Sequence, residues 1–266
     1  MRPARPAQPP AGQPGTASEQ GAGRGPDPGH PAGGGEASRC QVLAVGLRAT
    51  TLTPFAYHSV PVQSGSATIP EYISDRAIAF ALAQALGLMP ATPLLASVDS
   101  AALPANYRRD LSAIPWRTSI LETDEPRLLP PLARRITLDF EGGRQSLVHR
   151  VTATGNLKEF FTIQEVPQGV VYRGAALLVD PFGWARRAYG AGELTRRGGL
   201  VVRIGLGRAG MLLVEPDPSV EHVRLNAATG RLFGADLPVE KYALHSLQVT
   251  PAMPLVRAAQ EVSAWI

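Results

Sequence analysis

Apolar and polar positions form two regular stretches near the ends of residues 40–266, with a less regular middle between them. Residues 40–51 alternate loosely, which predicts a first strand. Residues 54–70 are rich in Ser, Gly and Pro and carry no period, so they read as a long irregular connection. The clearest helix follows. Ser74 is placed to cap it, Asp75 suits the positive end of its dipole, and Gly87 is a natural C′ residue. Ile78, Leu82 and Ala85 recur at i, i+4 and i+7, one apolar face to lay on a sheet.

Residues 90–131 hold many prolines and predict loops with short strands at most. Residues 136–140 and 146–152 flank Glu141-Gly142-Gly143-Arg144, a hairpin signal. Residues 160–166 and 169–179 read as a second strand pair turning at Pro167-Gln168-Gly169. Residues 200–204 and 211–215 are two short strands around a glycine loop, and residues 254–266 form a last helix with Leu255, Ala259, Val262 and Ile266 on one face. Strands predominate and helices sit near the two ends, so the expected class is α+β: an antiparallel sheet with helices on one face.

Composition separates a tail from this body. Residues 1–39 hold nine of the 27 glycines and eight of the 25 prolines, with no aromatic residue and no large aliphatic one beyond Met1. Such a segment cannot bury enough apolar surface to offset its ordering entropy, so it is expected to be a disordered tether, leaving 40–266 as one domain. Cys40 is the only cysteine, which excludes a disulfide framework and a thiolate zinc site and suits a reducing, cytoplasmic setting. No apolar run is long enough to cross a bilayer.

The charge is mildly basic, 26 Lys+Arg against 22 Asp+Glu, and Lys158 and Lys241 are the only lysines. Arginine suits bidentate phosphate contacts and stacking on bases, although a GC-rich genome produces the same bias. The basic groups cluster at Arg134-Arg135, Arg144, His149-Arg150, Lys158, Arg173, Arg186-Arg187 and Arg196-Arg197, interleaved with Phe160, Phe161, Tyr172, Phe182, Trp184 and Tyr189. Phosphate neutralisation beside aromatic platforms is what single-stranded RNA binding requires. The competing interpretation makes the aromatics core and the charges a solvated face.

Gly205-Leu206-Gly207-Arg208-Ala209-Gly210 matches the spacing of a dinucleotide-binding loop, but the residues after it look like a strand stopped by Pro216. A loop that lets a polynucleotide backbone approach closely fits better, with Arg203 and Arg208 ready for phosphates; a plain hairpin turn is the alternative. The five histidines form no metal-binding spacing, so neither metal nor cofactor is expected. His58, beside Tyr57, could act as a general base in RNA cleavage or simply pack at the surface.

Residues 71–82, from Glu71 through Ser74-Asp75-Arg76 to Leu82, resemble the first helix of a CRISPR-associated RAMP protein, in particular the Cas-five-type subunit of type I-D effectors. Val202-Arg203-Ile204-Gly205 with its glycine loop resembles that family's strand and loop. Gly234-Ala235-Asp236-Leu237-Pro238 resembles the segment just after, and Thr250-Pro251-Ala252-Met253-Pro254-Leu255-Val256 the start of its C-terminal helix. The resemblance implies a ferredoxin-like, RRM-like sheet with a β-rich thumb inserted at about 90–190. It implies a non-catalytic subunit that grips the 5′ handle of a guide RNA (crRNA), touches a repeating backbone subunit and a large subunit, and meets target DNA only indirectly. The handle contacts it implies are Arg203, Gly205, Gly207, Arg208 and Gly210, with His149, Arg150 and Lys158 on a thumb-like hairpin. A metal-independent endoribonuclease using His58 or Tyr57 with Arg208, and a protein scaffold without nucleic acid, are the alternatives.

Overall fold

The computed structural model describes residues 43–62, 65–88, 107–135, 160–190, 198–205 and 209–265. The proposed tail, the hairpin at 136–152, and Gly207, Arg208, His149, Arg150 and Lys158 lie outside these residues.

The described strands are β1 (Leu43–Thr51), β2 (Ser59–Val62), β3 (Gly65–Thr68), β4 (Tyr72–Ile73), β5 (Arg117–Thr118), β6 (Leu121–Glu122), β7 (Leu132–Arg135) and β8 (Phe160–Gln164). They continue as β9 (Val171–Leu178), β10 (Leu200–Ile204), β11 (Gly210–Pro216), β12 (His222–Val223), β13 (Lys241–Leu244), β14 (Leu247–Val249) and β15 (Met253–Pro254). The helices are α1 (Asp75–Ala85), α2 (Tyr107–Ser112), α3 (Pro181–Tyr189), α4 (Ala227–Gly230) and α5 (Leu255–Ser263).

β1 is the hub. It pairs antiparallel with β9 on one side and β11 on the other, and the main sheet runs β10-β11-β1-β9-β6-β4 with β5 also on β9. Alternation along the central strands gives the sheet two buried faces. Leu47, Ala49, Tyr172, Ala176, Leu212 and Val214 meet α1 and α3 through Ile78, Leu82, Phe182 and Ala185. Ala175 and Leu177 instead meet α5 through Ala258, Ala259 and Val262. Helices therefore cover both faces rather than the expected one, because β9 carries apolar side chains at odd and even positions alike. Trp265 joins this second core, and its ring stacks on Phe233 at 5.9 Å.

The local helix signals hold. Ser74 Oγ accepts the Arg76 N–H at 3.3 Å, and Gly87 follows the helix end at φ +68°. β10 and β11 pair antiparallel, from Leu200 opposite Val214 to Ile204 opposite Gly210. A strand after the glycine loop removes the helix N-terminus that dinucleotide binding would need.

Four further expectations are corrected. Residues 54–70 contain a β2–β3 hairpin, and β3 also pairs parallel with β8. The segment 90–131 includes the helix α2. Strands β8 and β9 do not pair with each other: β8 lies in a second sheet, β2-β3-β8-β7, while β9 is central in the main one. The residues between them turn away, since Val166 bridges to Phe55 and the Gly169 N–H donates to the Thr51 carbonyl. Finally, β9 and α3, inside the stretch assigned to an insertion, belong to the main sheet and its helix layer. The third helix is set by Asp180, whose side chain accepts the Phe182 N–H at 2.8 Å, with Pro181 in the first turn.

Candidate nucleic-acid interface

Five separate segments meet at a cleft of about 280 Å³ along the β10 edge of the main sheet: residues 57–58, helix α1, Tyr107, residues 203–205, and Ser246 in the β13–β14 turn. Helix α1 presents Arg76, Phe80 and Gln84 to it, spaced i, i+4 and i+8 on a flank beside the buried Ile78–Leu82 stripe.

Two glycines stand where β10 ends and β11 begins. Gly205 has φ +84°, and a Cβ there would stand 2.8 Å from the Ala56 carbonyl oxygen. A Cβ on Gly210 would collide with the Phe55 Cβ. These positions are glycine because the backbone at 205 and at 210 lies against residues 55–56 with no room for a side chain. Gly205 lines the cleft; Gly210 starts β11 beside Phe55.

Arg76 is held in place by its Nε donating to Thr229 Oγ1 at 2.9 Å and by its guanidinium lying 5.1 Å from the Tyr107 ring centroid. No carboxylate neutralises it among the described residues. Arg203 is exposed on the edge strand and makes no ion pair or side-chain hydrogen bond among them either. Three other arginines differ. Arg48 pairs with Glu215 at 2.8 Å, Arg173 with Asp217 at 3.6 Å, and Arg224 with Glu122 and Glu240. The cations left over for an outside anion therefore include both arginines of the cleft.

His58 has an unusual state. Its φ is +49°, one of two positive values on non-glycine residues among those described, and its ring lies 4.0 Å from that of Tyr57. Nε2 is out of contact with solvent and has no hydrogen-bond partner. Burial, reinforced by Arg76, pulls its pKa down to about 4, so the ring is neutral at pH 7. Burial also pushes the Tyr57 phenol up to about 12.

A polar network behind the cleft ties α1 to the β13–β14 hairpin. Buried Asn226 donates to Asp75 Oδ1 at 2.7 Å and to the Ser246 carbonyl at 2.9 Å. Its Oδ1 accepts from the Gln248 N–H at 3.0 Å and the Ala228 N–H at 3.1 Å.

Of the sequence-derived candidates, the structure brings Arg203, Gly205, His58 and Tyr57 together at one cleft. It does not bear out Tyr172 and Phe182 as base-stacking platforms. Both are buried in the core, and the Tyr172 hydroxyl donates to the Pro70 carbonyl at 2.7 Å. Trp184 packs edge-on against Trp116. Tyr189 is 47% exposed, with its hydroxyl donating to the Ala85 carbonyl, but it is not part of the cleft lining. The rings at the cleft besides Tyr57 and His58 are Tyr107 and Phe80, which the sequence did not single out. Arg76 and Phe80 were visible in the predicted helix, one turn apart and off its apolar face; Tyr107 left no local signal.

No protein-family model matches the chain, and no curated protein matches it. Solved structures do. One similar chain belongs to a Type IV-B CRISPR complex, at 12% identity and a TM-score of 0.33, covering 67% of this chain and 92% of that one. Another comes from the cryo-EM structure of the Type III-B Cmr-beta bound to cognate target RNA and AMPPnP, at 12% identity and a TM-score of 0.34, covering 83% and 89%. No helix among the described residues is long and apolar enough to cross a membrane.

Proposed function

We propose that this chain is a non-catalytic RNA-binding subunit of a CRISPR RNA-guided effector complex, holding the 5′ handle of the guide RNA at the α1–β10 cleft. The observation that carries this is the pair of arginines, Arg76 and Arg203, that line the cleft with no carboxylate partner among the described residues, beside the part-exposed Tyr107 ring. RNA supplies the missing anions and the planar groups that such rings stack on. The sheet order β11-β1-β9-β6, with α1 after β1 and α3 after β9, supports a ferredoxin-like reading, because a split βαββαβ chain places its strands in that antiparallel order. The β2-β3-β8-β7 sheet then takes the place of an inserted thumb. Contacts to a backbone subunit and a large subunit belong to the same proposal.

The endoribonuclease alternative is the weaker one. A base near neutral pH wants a pKa near 7, whereas His58 sits at about 4 and Tyr57 at about 12. EDTA-resistant cleavage of repeat RNA that disappears in His58→Ala would reverse this preference.

Binding of single-stranded RNA to the full chain, followed by fluorescence anisotropy from 50 to 200 mM salt, tests the proposal. Each phosphate contact contributes about 0.7 to the slope of log affinity against log salt. Arg76→Ala and Arg203→Ala should each reduce that slope by about this amount and weaken binding. A slope near zero refutes RNA binding and leaves the scaffold reading in front; a steep slope unchanged in both variants refutes binding at the cleft and places it elsewhere on the chain.

A further inference from the structure

The cleft has features that phosphate binding alone does not call for. It holds an exposed ring: Tyr107 is 45% exposed, with the Arg76 guanidinium 5.1 Å from its centroid and Phe80 tilted beside it at 6.4 Å and 52°. At about 280 Å³ it lies at the bottom of the range for drug-sized ligands, roughly 300 Å³ and upward, so it holds one planar heterocycle rather than a stacked series. On the wall stands His58, with strained backbone and an Nε2 that folding left without a partner. Strain and an unmet polar atom persist where the surrounding structure imposes them, and they concentrate at ligand sites.

We propose that the cleft is a single-nucleotide pocket. One unstacked nucleobase lies against Tyr107 and Phe80 with its edge to His58, and the adjoining phosphates meet Arg76 and Arg203. The pocket rests on the RNA-binding function proposed above and adds base recognition to it. A base with a phosphate could also come from a free mononucleotide, and the experiment separates the two sources.

The full chain is titrated with a single-stranded RNA decamer and with a decamer of abasic ribose phosphates carrying the same charge. The abasic chain should bind about tenfold more weakly or worse, the usual scale for losing one base–aromatic stack. Tyr107→Ala should erase that difference, and Tyr107→Phe should restore it. His58→Gln should change the order of affinities among the four homopolymer decamers. Equal binding of both decamers by the unaltered chain overturns the pocket while leaving phosphate-led RNA binding intact. A base preference that survives in Tyr107→Ala places recognition elsewhere and also overturns it. Failure of both decamers to bind overturns the functional proposal and the pocket together. AMP, CMP, GMP and UMP are titrated in parallel; one of them binding more tightly than its decamer overturns the RNA assignment in favour of a free nucleotide.

Discussion

Replacing Asn226 by alanine tests how the cleft is held together. The side chain is 1% exposed and makes four hydrogen bonds that join three elements: Asp75 at the start of α1, Ala228 in α4, and Ser246 and Gln248 in the β13–β14 hairpin. Each bond contributes about 1 kcal/mol net, and buried partners left unpaired cost about 1–3 kcal/mol each. Water can reach some of them after truncation, so the sum is about 3–4 kcal/mol, including loss of the α4 cap. Urea unfolding of the full chain should show that loss as a lower midpoint with an unchanged slope. For a domain of this size the melting temperature should fall by about 10 °C. The Asp75→Ala variant, combined with Asn226→Ala in a double-mutant cycle, should show a coupling of about 1 kcal/mol or more, because the two side chains touch directly. A stability loss below about 1 kcal/mol, or additivity of the two changes, would refute the claim that this network joins α1 to the hairpin.

Three further outcomes are expected. His58 takes up a proton near pH 4 in the folded chain and near 6.5 when unfolded, so its contribution is whole above pH 6.5 and is lost as pH falls towards 4. Urea titrations at pH 7, 5.5 and 4.5 should therefore lose up to about 3 kcal/mol across that window, and His58→Gln should flatten the dependence. Gly205→Ala forces a side chain into positive φ and against the Ala56 carbonyl, and should cost about 1–3 kcal/mol in thermal or urea unfolding; a neutral result would mean the backbone at Gly205 does not press on Ala56. Arg48→Ala, which removes a partly exposed pair with Glu215, should change stability by about 1 kcal/mol or less and leave RNA affinity near that of the unaltered chain, in contrast to Arg76→Ala.

What the sequence alone determined was local. Helix α1 was legible because its cap, apolar stripe and C′ glycine lie within fourteen residues, Ser74 to Gly87, and need no distant partner. The β10–β11 pair was legible because a short glycine turn leaves two apolar strands little choice but each other, and the last helix because its stripe repeats every turn. Helix α3 was missed although its Asp180-Pro181 start was in plain view, since the neighbouring aromatics suggested a surface of exposed rings instead. The tertiary structure decided what period cannot encode. Alternation says that β8 and β9 are strands, but hydrogen bonds between strands carry no address, and only burial of both faces of β9 puts it beside β1 while β8 joins β3. The cleft belongs to the same class of fact. Its walls come from residues 57–58, 74–84, 107, 203–205 and 246, and nothing in their local patterns requires them to converge. Arg76 and Arg203 carry the same side chain as Arg48 and Arg173. The sequence shows four arginines; only the packing decides which two are left, among the described residues, without a carboxylate and so ready to meet an outside anion.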